Sequence, residues 1–154
     1  MHGSPFFVRS SDYGLPQHRP RIYIVGFRKE EIYQSTFEFP PPVKLAFTLA
    51  DVIGGDCDRE IGYTLRVGGR GARIDDRRKW DCYSVDEVIR RIGPTEGKKL
   101  MGFPDDFILP ESERAAMKLL GNSVAVSAVE AVATKIIKYL GSRFLWGPPS
   151  GKAR

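Results

Sequence analysis

Phe39 is followed by Pro40, Pro41 and Pro42. Three successive residues without an N–H donor and with φ held near −65° can continue neither a helix nor a central strand, so the chain must change direction there. That run divides the sequence. Before it, Phe6 to Arg9 is a short apolar fragment. The turn and breaker residues Ser10, Ser11, Asp12, Gly14 and Pro16 follow, and Arg21 to Phe27 is rich in β-branched and aromatic side chains. This pattern predicts a hairpin within residues 1–39, with Arg21 to Phe27 as a buried strand and a connecting loop that displays Gln17, Arg19 and Arg21.

Past the prolines, Leu45 to Val52 suggests a short helical turn, and Gly54, Gly55, Asp56 and Asp58 a loop. Residues 43–92 read as a small lobe of short strands around glycine loops, with Tyr63 to Val67 alternating. At its end, Ser84 with Glu87 fits a helix capping box. β-Branched residues dominate both sides of Asp86-Glu87, however, and favour a hairpin. Residues 93–141 carry helical signals: Gly93-Pro94 as a start and Gly102 as a stop, then Glu111 to Leu120, then Ser127 to Leu140. In the last of these Ser127 and Glu130 form a capping box, Val129, Val132, Ala133, Ile136 and Ile137 share one face, and Gly141 ends the helix. Residues 142–154 read as a frayed tail.

Apolar residues make up 42% of the chain and aromatics 11%, enough for a core. No stretch approaches the roughly 20 apolar residues of a membrane span, and Met1 to Gly14 lacks the pattern of a secretory signal, so a soluble cytoplasmic protein is expected. Cys57 and Cys82 form no CxxC pair and His2 and His18 are the only histidines, which argues against a zinc site or disulfide framework. The net charge is +5, and between Thr64 and Lys79 six basic residues face two acidic ones. Such concentration points to a polyanion as partner. His18, beside Arg19, has no evident carboxylate partner and reads as a solvent-facing loop residue.

Three segments now stand out: Asp12-Tyr13-Gly14-Leu15-Pro16-Gln17-His18-Arg19-Pro20-Arg21, then Met101-Gly102-Phe103-Pro104-Asp105-Asp106-Phe107, then Leu120-Gly121-Asn122-Ser123-Val124-Ala125-Val126. In this order they resemble the last three motifs of the cytosine-5 DNA methyltransferases, over roughly residues 6 to 140. The resemblance implies an α/β fold, the C-terminal portion of a Rossmann-like S-adenosylmethionine-dependent methyltransferase with a small β-rich target-recognition lobe. Residues 1–39 would end the catalytic domain, 43–92 would form the lobe, and 93–141 would return to the catalytic domain.

By the same resemblance Arg21 supports the flipped target base or a phosphate, with Gln17 and Arg19 assisting; a planar, permanently charged guanidinium suits that task. Thr64-Leu65 and the loop after it look like the recognition element, making Thr64, Arg66, Gly68, Gly69, Arg70 and Arg73 candidate DNA contacts. Glycines admit close backbone approach, and each arginine can pair with the two acceptors of guanine. A phosphate-cradling nest or a flexible linker are the plainer readings of that loop. Asn122, Ser123 and Val124 would lie against the methionine part of S-adenosylmethionine, although Asn122 and Ser123 equally suit a helix cap. Gly93-Pro94-Thr95-Glu96 departs from the family's Thr-Pro-Arg-Glu, lacking the arginine that would tie the lobe to the rest.

The family's Pro-Cys nucleophile, Phe-x-Gly-x-Gly cofactor loop and Glu-Asn-Val are absent; Cys57 and Cys82 both follow aspartates. The expectation is therefore a DNA-recognition and cofactor-closing part of a bacterial, nucleoid-associated restriction-modification enzyme. It would act on double-stranded DNA and share S-adenosylmethionine with a catalytic half that carries the cysteine and cofactor loop. Without that half the chain is expected to aggregate or pair as a homodimer. A stand-alone DNA-binding or regulatory module, or an RNA cytosine methyltransferase relative, are the alternatives.

Overall fold

The computed structural model describes residues 6–27, 37–68 and 70–141. The expected tail and Gly69 lie outside these. Strands β1 (Phe6–Arg9) and β2 (Pro20–Tyr23) pair antiparallel with Phe7 opposite Ile22 and Val8 opposite Arg21. Side chains alternate across this hairpin. Val8 faces inward, with Tyr23 and Val25 packed on the same cluster. Phe7 and Ile22 point to the other face and are 63% and 55% exposed, while Ile24 beyond the strand is 80% exposed. The strand read as Arg21 to Phe27 is therefore shorter than expected and buried on one face only.

Beyond the prolines, α1 (Leu49–Ile53) starts on a Thr48–Asp51 capping box. The expected β-rich lobe reduces to one hairpin, β3 (Cys82–Val85) with β4 (Val88–Arg91), plus isolated bridges such as Cys57 to Val85. Asp86 and Glu87 both have positive φ, 49° and 63°, the signature of the two-residue turn that matches strand twist. The hairpin reading of residues 83–92 is correct. Tyr63 to Val67, expected as a strand, is extended without a ladder because other groups take its polar atoms. Tyr63 N–H donates to the Tyr83 hydroxyl at 2.8 Å and Leu65 N–H to Gln17 Oε1 at 3.3 Å.

Three helices complete the chain: α2 (Pro94–Met101), α3 (Glu113–Asn122) and α4 (Val126–Gly141). Pro94 opens α2, Glu96 accepts from Gly93 N–H at 2.9 Å, and Gly102 ends the helix in the left-handed region at φ 76°. The helix read from Glu111 to Leu120 starts two residues later and ends two residues later, with Ser112 as its cap. Ser127 lies inside α4 rather than capping it, and its hydroxyl donates to Tyr13 O at 2.7 Å. The expected apolar face of α4 is also rotated: Ala128 and Val132 are buried, whereas Ile137 is 67% exposed. The run Glu113–Gly141 is long and apolar enough for a membrane span by length and composition alone. Extended backbone at Ser123 splits it into helices of 10 and 16 residues, each short of the roughly 20 a span needs.

Two cores result. One joins Leu49, Val52, Leu65, Trp80, Tyr83, Ile92, Leu100, Met117 and Leu120; the other joins Val8, Tyr13 and Leu15 to Ala125, Ala128 and Val132. Thus the apolar faces of α2 and α3 pack with the segment read as the recognition lobe, while α4 packs on the first hairpin, whose connecting loop also reaches the ends of α2 and α3. The division at residue 93 expected from sequence does not coincide with the packing, because the apolar faces of α2 and α3 match Leu65 and Trp80 rather than the hairpin.

Candidate nucleic-acid interface

Gln17 and Arg19 sit where the two cores meet. Both come from the loop between β1 and β2, yet they are 0% and 2% exposed, so the expectation that the loop displays them is corrected. A buried amide and guanidinium need partners, and these have them. Gln17 Nε2 donates to Leu100 O at 2.9 Å and lies 3.3 Å from Met101 Sδ. Arg19 Nη1 donates to Leu65 O at 2.9 Å, and its Nη2 to Gly121 O at 2.9 Å and Ser123 O at 2.7 Å. One planar fork thereby ties the first motif to the segment around Leu65 and to the third motif. Burial and the nearby Arg21 charge lower the Arg19 guanidinium to about 10, still far above neutrality, so it remains a cation.

Gly121 completes this junction. A Cβ there would stand 2.8–2.9 Å from the backbone of Arg66 and Val67, so only glycine lets α3 approach that segment this closely. Of the remaining loop residues, His18 is exposed, as expected; its N–H donates to Gly62 O, and its carbonyl accepts from the Thr64 hydroxyl. Thr64 is thus half-buried and engaged within the chain. Arg21 is exposed, with one nitrogen donating to its neighbour Pro20 O at 2.8 Å, and its other donors face solvent.

The arginine-rich segment sorts into free and engaged side chains. Arg66 and Gly68 are exposed, and Arg66 has no partner among the described residues. Arg73 pairs with exposed Asp75 at 3.2 Å, a surface contact that a stronger acceptor displaces readily. Arg70 differs. Its Nη2 donates to Ile92 O at 3.0 Å and to Glu113, and its Nε lies 3.7 Å from Asp81, so the fork expected to read guanine is occupied inside the chain. Asp81, Trp80, Tyr83 and Arg91, which hold this segment, were not singled out from the sequence. The aromatics Trp80 and Tyr83 beside a lone acid were the available signal. Burial pushes the Tyr83 phenol well above its ordinary value, so it stays neutral and bridges Tyr63 N–H and Trp80 O.

On the turn of the third motif, Asn122 and Val124 are exposed, and the Ser123 hydroxyl donates to Leu120 O at 2.8 Å. Asn122 and Ser123 line the rim of a cavity of about 370 Å³ whose other walls are Phe103, Phe107, Ile108, Leu109, Leu119 and Leu120. Its apolar walls and two polar rim groups suit the aliphatic part of a small polar ligand. Burial pushes both thiols, Cys57 and Cys82, above their ordinary value, which disfavours the thiolate a nucleophile needs.

The class this assembly defines is shown by comparison. The model of the C-5 cytosine-specific DNA methylase family matches residues 3–67 and 55–138, and the chain belongs to that family. It is similar to the type II methyltransferase M.SsoII of Shigella sonnei, 34% identical over 167 residues, covering 86% of this chain and 44% of that protein. M.HpaII of Haemophilus parainfluenzae is 30% identical over 186 residues, covering 91% and 52%. M1.ScrFI of Lactococcus lactis subsp. cremoris is 30% identical over 172 residues, covering 91% and 44%. The chain spans about half the length of these relatives. Among solved structures, an Entamoeba histolytica methyltransferase overlays 92% of this chain and 53% of its own at TM-score 0.47 and 17% identity.

Proposed function

We propose that this chain is the DNA-recognition and cofactor-closing part of a restriction-modification DNA cytosine-5 methyltransferase, acting with a catalytic polypeptide on nucleoid DNA in a bacterial cytoplasm. The observation that carries the reading is the Arg19 fork, which binds Leu65 O, Gly121 O and Ser123 O and so brings the recognition segment and the cofactor-side turn to one point. A DNA-binding module alone has no use for the second half of that junction.

The roles follow from what each side chain leaves free. Arg66 and, after exchange of Asp75, Arg73 supply guanidinium forks for guanine edges or phosphates, while Gly68 admits close backbone approach. Arg21 has donors free to hold the carbonyl of a base taken out of the stack. Gln17, Arg19, Thr64 and Arg70 serve by fixing the scaffold and not by touching DNA. The Asn122 amide and Ser123 hydroxyl fit the carboxylate and ammonium of a methionine moiety, with Val124 beside them. S-adenosylmethionine, when bound, supplies an electrophilic methyl group. The thiolate that attacks carbon 6 of cytosine comes from the catalytic polypeptide, since no cysteine here follows a proline.

Incubation of the purified chain with labelled S-adenosylmethionine and duplex DNA should give no incorporation, and addition of a polypeptide carrying Pro-Cys and Phe-x-Gly-x-Gly should restore it. Incorporation by the pure chain overturns the reading. In the reconstituted enzyme, Arg66→Ala should weaken specific binding by about 1–3 kcal/mol, the usual worth of a bidentate base contact. A loss equal on all sequences would make Arg66 a phosphate contact.

A further inference from the structure

Asp81 is the one fully buried acid among the described residues. Its Oδ2 accepts from Gly71 N–H at 3.0 Å and from Arg91 Nη1 at 3.0 Å, with Arg70 Nε 3.7 Å away, while its Oδ1 is buried without a partner. A buried carboxylate with half its acceptor capacity unused is a poor source of stability, because desolvation offsets the attraction of its cations. What such a group supplies is geometry. Gly71, at φ 88°, is held by this carboxylate at the point where the glycine-arginine segment turns.

The rest of that segment is fastened from the same side. Trp80 Nε1 donates to Gly68 O at 2.9 Å, Arg91 Nη2 to Ala72 O at 2.9 Å, and the Cys82 thiol lies 3.6 Å from the same carbonyl. Trp80, Asp81, Cys82 and Arg91 thus stitch residues 68, 71 and 72 to the β3–β4 hairpin, and the flexible-linker reading of this loop does not hold. Among the described residues Arg66, without a partner, and Arg73, held only by its surface pair with Asp75, flank the stitched stretch on either side.

We propose that Asp81 is a specificity-determining positioning residue: it never touches DNA, but by anchoring Gly71, Arg70 and Arg91 it fixes the register in which Arg66 and Arg73 face the groove. The inference rests on the recognition reading above. It predicts separate fates for selective and non-selective binding. Phosphate attraction needs only positive charge nearby, whereas base readout needs the forks in place.

The test uses the full chain reconstituted with a catalytic polypeptide and a randomised duplex pool at a fixed, near-physiological salt concentration, working below each variant's unfolding transition. The enriched sequence and a scrambled control then give a selectivity ratio for the wild type, Asp81→Asn, Arg91→Lys and Arg66→Ala. Asp81→Asn should lower that ratio at least tenfold, leave affinity for the scrambled duplex within about twofold, and expose the Gly71 amide to exchange. Arg91→Lys keeps the charge but cannot bridge Asp81 and Ala72, so it should lower the ratio by a smaller factor in the same direction. Parallel loss of both affinities in Asp81→Asn, or an unchanged ratio, overturns the proposal. If Asp81→Asn does not fold, an unchanged ratio in Arg91→Lys overturns it. A wild type with no sequence preference, unaffected by Arg66→Ala, instead overturns the recognition reading itself and this inference with it.

Discussion

At the scale of single residues, Arg19 is the side chain on which the arrangement turns. Its two terminal nitrogens reach three carbonyls on two separate segments, and its Nε is buried without a partner. A lysine keeps the charge but concentrates it at one atom, so it cannot span Leu65 O on one side and Gly121 O and Ser123 O on the other. Carbonyls left unpaired in a dry site cost their full desolvation. Arg19→Lys should therefore destabilise the chain by about 2–3 kcal/mol, since hydrogen bonds to charged groups contribute roughly 1.5–3 kcal/mol each. Urea unfolding monitored by circular dichroism measures it. A midpoint unchanged from wild type would show that the fork is dispensable. Gly121 works from the opposite side of this junction, where a methyl group would meet the Arg66 carbonyl at 2.9 Å.

Among the elements, α1 depends most visibly on its cap, because five residues form too short a helix to persist on propensity alone. Thr48 N–H and its hydroxyl donate to Asp51 Oδ2 at 2.6 and 2.7 Å, and these bonds hold the Asp51 carboxyl below the usual carboxylate range. A group whose folded pKa is depressed contributes stability that is fully present above its unfolded value and is lost as pH falls through the folded one. Protection of the Val52 amide, taken relative to its intrinsic exchange rate at each pH, should then be constant from neutral pH down to about 4, near the ordinary aspartate value, and fall only below it. Asp51→Asn should remove that acid step. A loss of protection already under way at pH 6 would mean that some other group controls this helix.

For the whole molecule, the hairpin presents two unlike faces. One packs on α4 through Val8, Tyr23 and Val25; the other leaves Phe7, Ile22 and Ile24 in solvent, beside a strand whose outer edge has no partner among the described residues. Exposed apolar side chains next to an open strand edge invite pairing with another chain. On the function proposed above, pairing with a catalytic polypeptide should bury this face and stabilise the chain by mass action. The Ile24 amide should exchange freely in a dilute monomer and become protected when that polypeptide is added, whereas Ile136, already packed against the hairpin, should change little. Strong protection of Ile24 in a verified monomer would show that this chain needs no such surface.

The local elements were legible because their causes are local. Gly93-Pro94 and Gly102 bound α2, the β-branched arms around Asp86-Glu87 make a hairpin, and the motifs carry the family. Ser127 misled for the same reason: its spacing to Glu130 suits a cap, but Tyr13 O, far away in the chain, claims its hydroxyl. The sequence by itself determined the family, the hairpins, the helix boundaries to within a few residues, and the absence of a Pro-Cys nucleophile. Only the tertiary structure decided which arginines are free. Arg19 meets carbonyls 46, 102 and 104 residues away, and Arg70 meets Glu113. A guanidinium reads alike in every sequence; whether it faces solvent or carbonyls depends on which segments the cores bring beside it.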